Sequence, residues 1–172
     1  MTRRTVIALA ACVLAAGCDD NATTAPSNVP TVFTAILSPA NEVPPVSNSE
    51  AGGRGAAQID LTVTRDAGNV VTGATATFYF QLSGFPNGTT TTGAHIHPGA
   101  AGTNGPVIVS TGVSAAAPVV LSGGATEFRS GPVTVDAATA QAIINNPAGY
   151  YFNVHSPVNG GGYARGQLTR IQ

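Results

Sequence analysis

The chain's only three histidines, His95, His97 and His155, are the residues best suited to chemistry at neutral pH. Imidazole is a common protein ligand for zinc and copper, and three imidazoles leave a coordination position for water or a substrate. His95 and His97 flank Ile96. On a strand this spacing puts both rings on one face, about 7 Å apart along the chain, with Ala94 and Ile96 facing the core. His155 closes the run Tyr151-Phe152-Asn153-Val154-His155. With Phe152 and Val154 on the core side, Tyr151, Asn153 and His155 point outward. Alternation thus places all three histidines on the outer surface of a sheet, where the Gly-rich loop from Pro98 to Gly105 can shield them. One mononuclear copper or zinc site follows if the strand carrying His155 neighbours the strand carrying His95. If it does not, these are structural histidines tying loops to strands.

Other chemistry is sparse. The two cysteines, Cys12 and Cys18, both fall within the first eighteen residues. The body therefore has no disulfide, no thiolate zinc site and no cysteine nucleophile. No Ser-His-Asp arrangement or paired-carboxylate motif is present, and Ser156 is too close to His155 in sequence to serve it as a nucleophile. No catalytic residue is assigned. Tyr151 shares the face of His155 and is a candidate supporting residue around a metal. Glu42 precedes Val43-Pro44-Pro45, a rigid extended stretch. Arg165 is its natural counter-ion, so a buried structural Glu42–Arg165 pair is expected. Asn87-Gly88-Thr89 has the letters of a glycosylation sequon and reads as a turn.

The elements that must position these groups are β-strands. The chain has 172 residues, enough for one domain, and 7 basic against 8 acidic residues. A net charge of -1 leaves no basic footprint for nucleic acid. Glycine (21) and proline (12) are abundant and charge is scarce at 9%, the profile of many short strands joined by turns. Ile59, Leu61 and Val63 alternate with polar neighbours, as do Ala76, Phe78, Phe80 and Leu82. Further strands are expected over 33–37, 93–97, 106–111, 118–121, 132–135, 150–155 and 163–169. Turn signals at Asp66-Ala67-Gly68, Pro86-Asn87-Gly88, Asn104-Gly105 and Asn159-Gly160 separate them. The expectation is an all-β, Greek-key sandwich or flattened barrel of about eight to ten strands. One short helix interrupts it over 136–145, with Asp136 as N-cap and Asn146-Pro147 as its stop.

The N-terminus reads as an address. Arg3 and Arg4 precede an uncharged, mostly apolar run from Thr5 to Gly17, too short to cross a bilayer and suited to a signal-peptide core. Leu14-Ala15-Ala16-Gly17-Cys18 resembles a bacterial lipobox. Residues 1–17 are therefore expected to be a lipoprotein signal peptide, with Cys18 lipidated. Residues 18–32 form a flexible polar tether. The expected location is extracytoplasmic, anchored by lipid to a bacterial cell envelope.

From Phe33 to Leu168 the chain resembles the CHRD domain, a module named from chordin and found in bacterial secreted proteins. Three blocks carry the resemblance: Leu37 to Val46, Ala94 to Gly99 with Asn104-Gly105-Pro106-Val107, and Tyr151 to Ser156 with Arg165-Gly166-Gln167-Leu168. The domain is then 33–172. The family usually carries Glu and Ile where Tyr163 and Ala164 stand here. The resemblance implies an extracellular-type β module, and a metal-free module binding a protein or glycan is the alternative to a metal site. A looser likeness is to copper-zinc superoxide dismutases, Greek-key barrels with a His-x-His on a strand and another histidine near the C-terminus. It implies a redox enzyme as a further alternative, although three histidines without a cysteine pair cannot build that family's two-metal site.

Overall fold

The computed structural model describes residues 30–172. The expected signal peptide, Cys18 and most of the tether lie outside the described residues.

Eleven strands and one helix follow in order: β1 (Thr31–Leu37), β2 (Arg54–Arg65), β3 (Val71–Ser83), β4 (Thr90–Thr91), β5 (Gly93–Pro98), β6 (Val109–Ser110), β7 (Val119–Val120), β8 (Thr126–Val135), α1 (Ala137–Asn145), β9 (Tyr150–His155), β10 (Ala164–Gln167) and β11 (Thr169–Arg170). They form an all-β sandwich. One sheet runs β11-β1-β2-β3-β8 and the other β10-β9-β5-β6, with a small β4-β7 pair beside them. Every strand pairing is antiparallel. The neighbours β3–β8 and β5–β9 are far apart in sequence, the long returns of a Greek key.

Alternation builds the core as expected. Ile59 and Leu61 of β2 and Phe78, Phe80 and Leu82 of β3 point inward and are buried. From the facing sheet, Phe152 of β9 meets Phe78 at 6.0 Å and Phe80 at 5.8 Å between ring centroids. At the β2–β3 turn, the Asp66 carboxylate accepts from the backbone N–H of Gly68 and Val70. Asp136 caps α1 by accepting from the Thr139 N–H at 3.0 Å.

Several elements differ from the sequence reading: β4 has no counterpart in it, and the strand expected over 106–111 is confined to β6. β1 begins at Thr31, within the segment assigned to the tether, because Thr31 and Val32 pair with Leu61 and Asp60. β8 begins six residues before Pro132. It is an edge strand whose polar Glu127 and Arg129 hide the apolar period, and Phe128 still packs on Phe80 at 5.2 Å. The run 163–169 is not one strand. It passes between sheets at buried Leu168, so that β10 pairs with β9 and β11 with β1. A bridge between Ser38 and Arg165 zips the same edge and gives the sandwich its barrel-like closure.

Candidate metal centre

β5 lies inside the four-stranded sheet, between β6 and β9. Ala94 and Ile96 fill the core, and His95 and His97 stand on the opposite face. β9 is the immediate neighbour of β5, in the register Gly93↔His155, His95↔Asn153 and His97↔Tyr151. The adjacency that a shared site requires is therefore present. His155 faces a glycine across the strand pair, so its ring can lean over Gly93 toward His95. A Cβ built on Gly93 would lie 2.8 Å from His95 Cε1 and 3.2 Å from His155 Cδ2. Any side chain there would push the two imidazoles apart.

The three rings converge. Their centroids are 4.9 Å apart for His95 and His155, and 5.7 Å for the other two pairs. One nitrogen from each lies within 4.8 Å of the others. His95 Nδ1, His97 Nε2 and His155 Nε2 are buried and have no hydrogen-bond partner. The second nitrogens of two rings are held by backbone: His97 Nδ1–H donates to the Gly105 carbonyl and His155 Nδ1–H to that of Gly160, both at 3.0 Å. This fixes the tautomer and turns the Nε2 lone pairs into the cluster, the usual outer-shell arrangement of ligating histidines. Both expected alternatives thus meet in one place: two histidines do tie loops to strands, and all three still converge. Bonds of about 2.0–2.1 Å to one ion need nitrogens about 3–3.5 Å apart, so nitrogens spaced within 4.8 Å must close in around an ion.

The outer face is not a solvent face, and in this the sequence reading needs correction. Tyr151, Asn153 and His97 are buried, and His95 and His155 half-buried. Alternation tells which side of a sheet a residue occupies but not whether loops cover that side. Here three loop segments do. The expected cover from Pro98 to Gly105 is one of them. Gly105 accepts from His97, and its N–H donates to the Tyr151 hydroxyl at 3.2 Å. The segment after β9 is the second. It supplies the Gly160 carbonyl to His155 and that of Gly161 to Asn153. Buried Glu50 latches it by accepting from the Ser156 hydroxyl at 2.8 Å and from the Asn159 amide. The third, between β1 and β2, brings in Glu42 and Asn41.

Tyr151 lies against His97, with centroids 5.0 Å apart and planes 5° from parallel. The Arg165 guanidinium covers the same tyrosine ring at 4.5 Å. Arg165 is 1% exposed, and its charge is met chiefly by oxygens of the covering loops. Its Nε–H donates to the Asn41 carbonyl at 2.6 Å, and Nη1 donates to the Thr103 carbonyl and Asn104 Oδ1. Glu42 stands 4.0 Å from Arg165 Nε, an ion pair without a hydrogen bond. The carboxylate accepts instead from the Asn153 amide, at 3.2 and 3.4 Å. Arg165 and Glu42 are therefore less a private pair than the two charged anchors of the loop layer.

Burial sets the protonation states. It pushes all three imidazoles below their ordinary range. For His95, where the two neighbouring rings add to the effect, the value falls to about 4. All three are then neutral near pH 7 and can donate lone pairs. Burial pushes the Glu42 carboxyl up to about 7, against the opposing pull of Arg165 and the Asn153 hydrogen bond.

Sequence reasoning named Gly105 and Gly160 only as turn or loop residues, and did not single out Gly93 or Glu50. Gly93 lies two residues before His95 on the same face, but its meaning depends on the strand opposite. The fold and site together define a class: an antiparallel β-sandwich carrying a covered three-histidine cluster on the outer face of one sheet. Residues 33–168 match the family model of the CHRD domain. The chain belongs to the CHRD-domain family. No curated protein matches it at a significant level.

Proposed function

We propose that this chain is an extracytoplasmic CHRD-domain protein that holds one copper or zinc ion on His95, His97 and His155. One observation carries the reading: three buried, unpartnered imidazole nitrogens face one another, two of them on rings held by backbone carbonyls. Burying a polar group without a partner is costly, and one cation satisfies all three nitrogens at once. Tyr151 supports the site by packing on His97. The test is metal content after refolding with copper or zinc, wild type beside His97→Ala. One equivalent in the wild type and much less in the variant is the expected result. Equally low metal in both defeats the reading.

The lipid anchor belongs to the same proposal and rests on Leu14-Ala15-Ala16-Gly17-Cys18. Labelled palmitate should enter the wild type and not Cys18→Ser, and the variant should leave the membrane fraction. A metal-free module for a protein or glycan is the competing reading, and a dismutase-like enzyme ranks behind both. The latter needs a second metal, whereas the chain has three histidines and, among the described residues, one three-ligand cluster.

A further inference from the structure

We infer that Asn153 is a fourth functional group of this site, and that its side-chain carbonyl accepts a hydrogen bond from a water completing the metal's coordination. The inference rests on the three-histidine reading and deepens it. Asn153 is 1% exposed. It lies directly across from His95 and two residues before His155, on the face where the rings converge. Its Nδ2 is pinned on the other side by both Glu42 carboxylate oxygens and by the Gly161 carbonyl. The chain leaves room for that contact: a Cβ on Gly162 would lie 2.2 Å from Asn153 Nδ2 and 2.7 Å from Glu42 Oε1. With Nδ2 so held, the amide cannot turn over without aiming its oxygen at the Gly161 carbonyl, which can only accept. Oδ1 is left buried with no partner, like the three imidazole nitrogens.

A side-chain amide oxygen accepts hydrogen bonds and donates none. At a site with three nitrogen ligands it would favour a fourth ligand carrying a proton, such as water, over an anion without one. Glu42 then acts as a positioning residue, holding the amide in the one orientation that presents its oxygen. The class of exchangeable ligand follows: a small monodentate oxygen donor with a hydrogen to give.

The test uses copper-loaded protein and azide, an anion with no proton to offer. Azide binding is read from its charge-transfer absorption, and melting curves report folding. Asn153→Leu removes the acceptor at similar size and should bind azide more tightly, by about fivefold, the value of one ordinary hydrogen bond. Asn153→Ala also removes the acceptor and should likewise bind azide more tightly than wild type, so a folding failure in one variant leaves the other to decide. Copper bound with unchanged azide affinity in the folded variants overturns the role of Asn153. Copper bound with no azide response in the wild type or in either folded variant also overturns it, while leaving the three-histidine site standing. No copper in the wild type removes both.

Discussion

Gly93→Ala separates the site from the fold. The added Cβ would meet His95 Cε1 at 2.8 Å and His155 Cδ2 at 3.2 Å, where ordinary contact begins near 3.4 Å. The His95 ring must retreat by roughly 0.6 Å, a large displacement beside a metal bond of about 2.0–2.1 Å. Two effects on stability oppose each other. Gly93 has no left-handed φ, so alanine suits its backbone and stabilises by about 0.4–1 kcal/mol through the unfolded chain. Crowding costs about 1–3 kcal/mol. The net change should move the melting temperature by only a few degrees. Metal affinity should fall about 10- to 100-fold, the range found when the support of a ligand is disturbed. A chelator competition with zinc or copper measures the affinity, and circular dichroism checks the fold. Gly52→Ala, whose Cβ meets nothing within 4 Å, is the control. A folded Gly93→Ala protein with wild-type affinity would refute the convergence of His95 and His155 on one ion.

Further outcomes follow from the same geometry. Three imidazoles of ordinary pKa would lose roughly 50-fold in zinc affinity between pH 7.5 and 6.0. With all three pushed lower, the loss over the same interval in a calorimetric titration should be well under 50-fold, and the His95 share should appear only as the pH falls toward about 4. Buried Glu42 titrates near 7 when folded and at the ordinary 4.5 when unfolded, so between these values the folded state holds the extra proton and stability falls as pH rises. His95 acts oppositely: its folded value lies below 6.5, so its contribution is lost as pH falls from there toward 4. Glu42→Gln should thus gain about 3 kcal/mol relative to wild type on going from pH 4 to 8 in urea unfolding, and a parallel pH profile would count against a buried carboxyl. Arg165→Met should destabilise by about 3 kcal/mol and speed proteolytic cutting within residues 98–105, because oxygens of Asn41, Thr103 and Asn104 lose their buried donor. An uncut loop at wild-type stability would remove Arg165 as its anchor.

Local information fixed a good deal. The period of two in β2, β3, β5 and β9 reports which side chains share a face, because successive strand residues point in opposite directions whatever the neighbouring strand is. The common face of His95, His97 and His155, the Asp136 cap and the Asp66 turn all follow from short-range geometry and could be read from the residues alone. Tertiary structure decided the rest. Only the closed sandwich makes β9 the neighbour of β5, and only its register sets His155 across from Gly93; a slip of one residue would turn every β9 side chain to the other face. Loops from three separate stretches of chain turned an expected surface into a covered layer, and they took the hydrogen bonds of Arg165 that a simple pair with Glu42 would have used. Strand pairing and loop cover join residues that are distant in sequence, so no local pattern encodes them, and they determine whether three like-facing histidines meet.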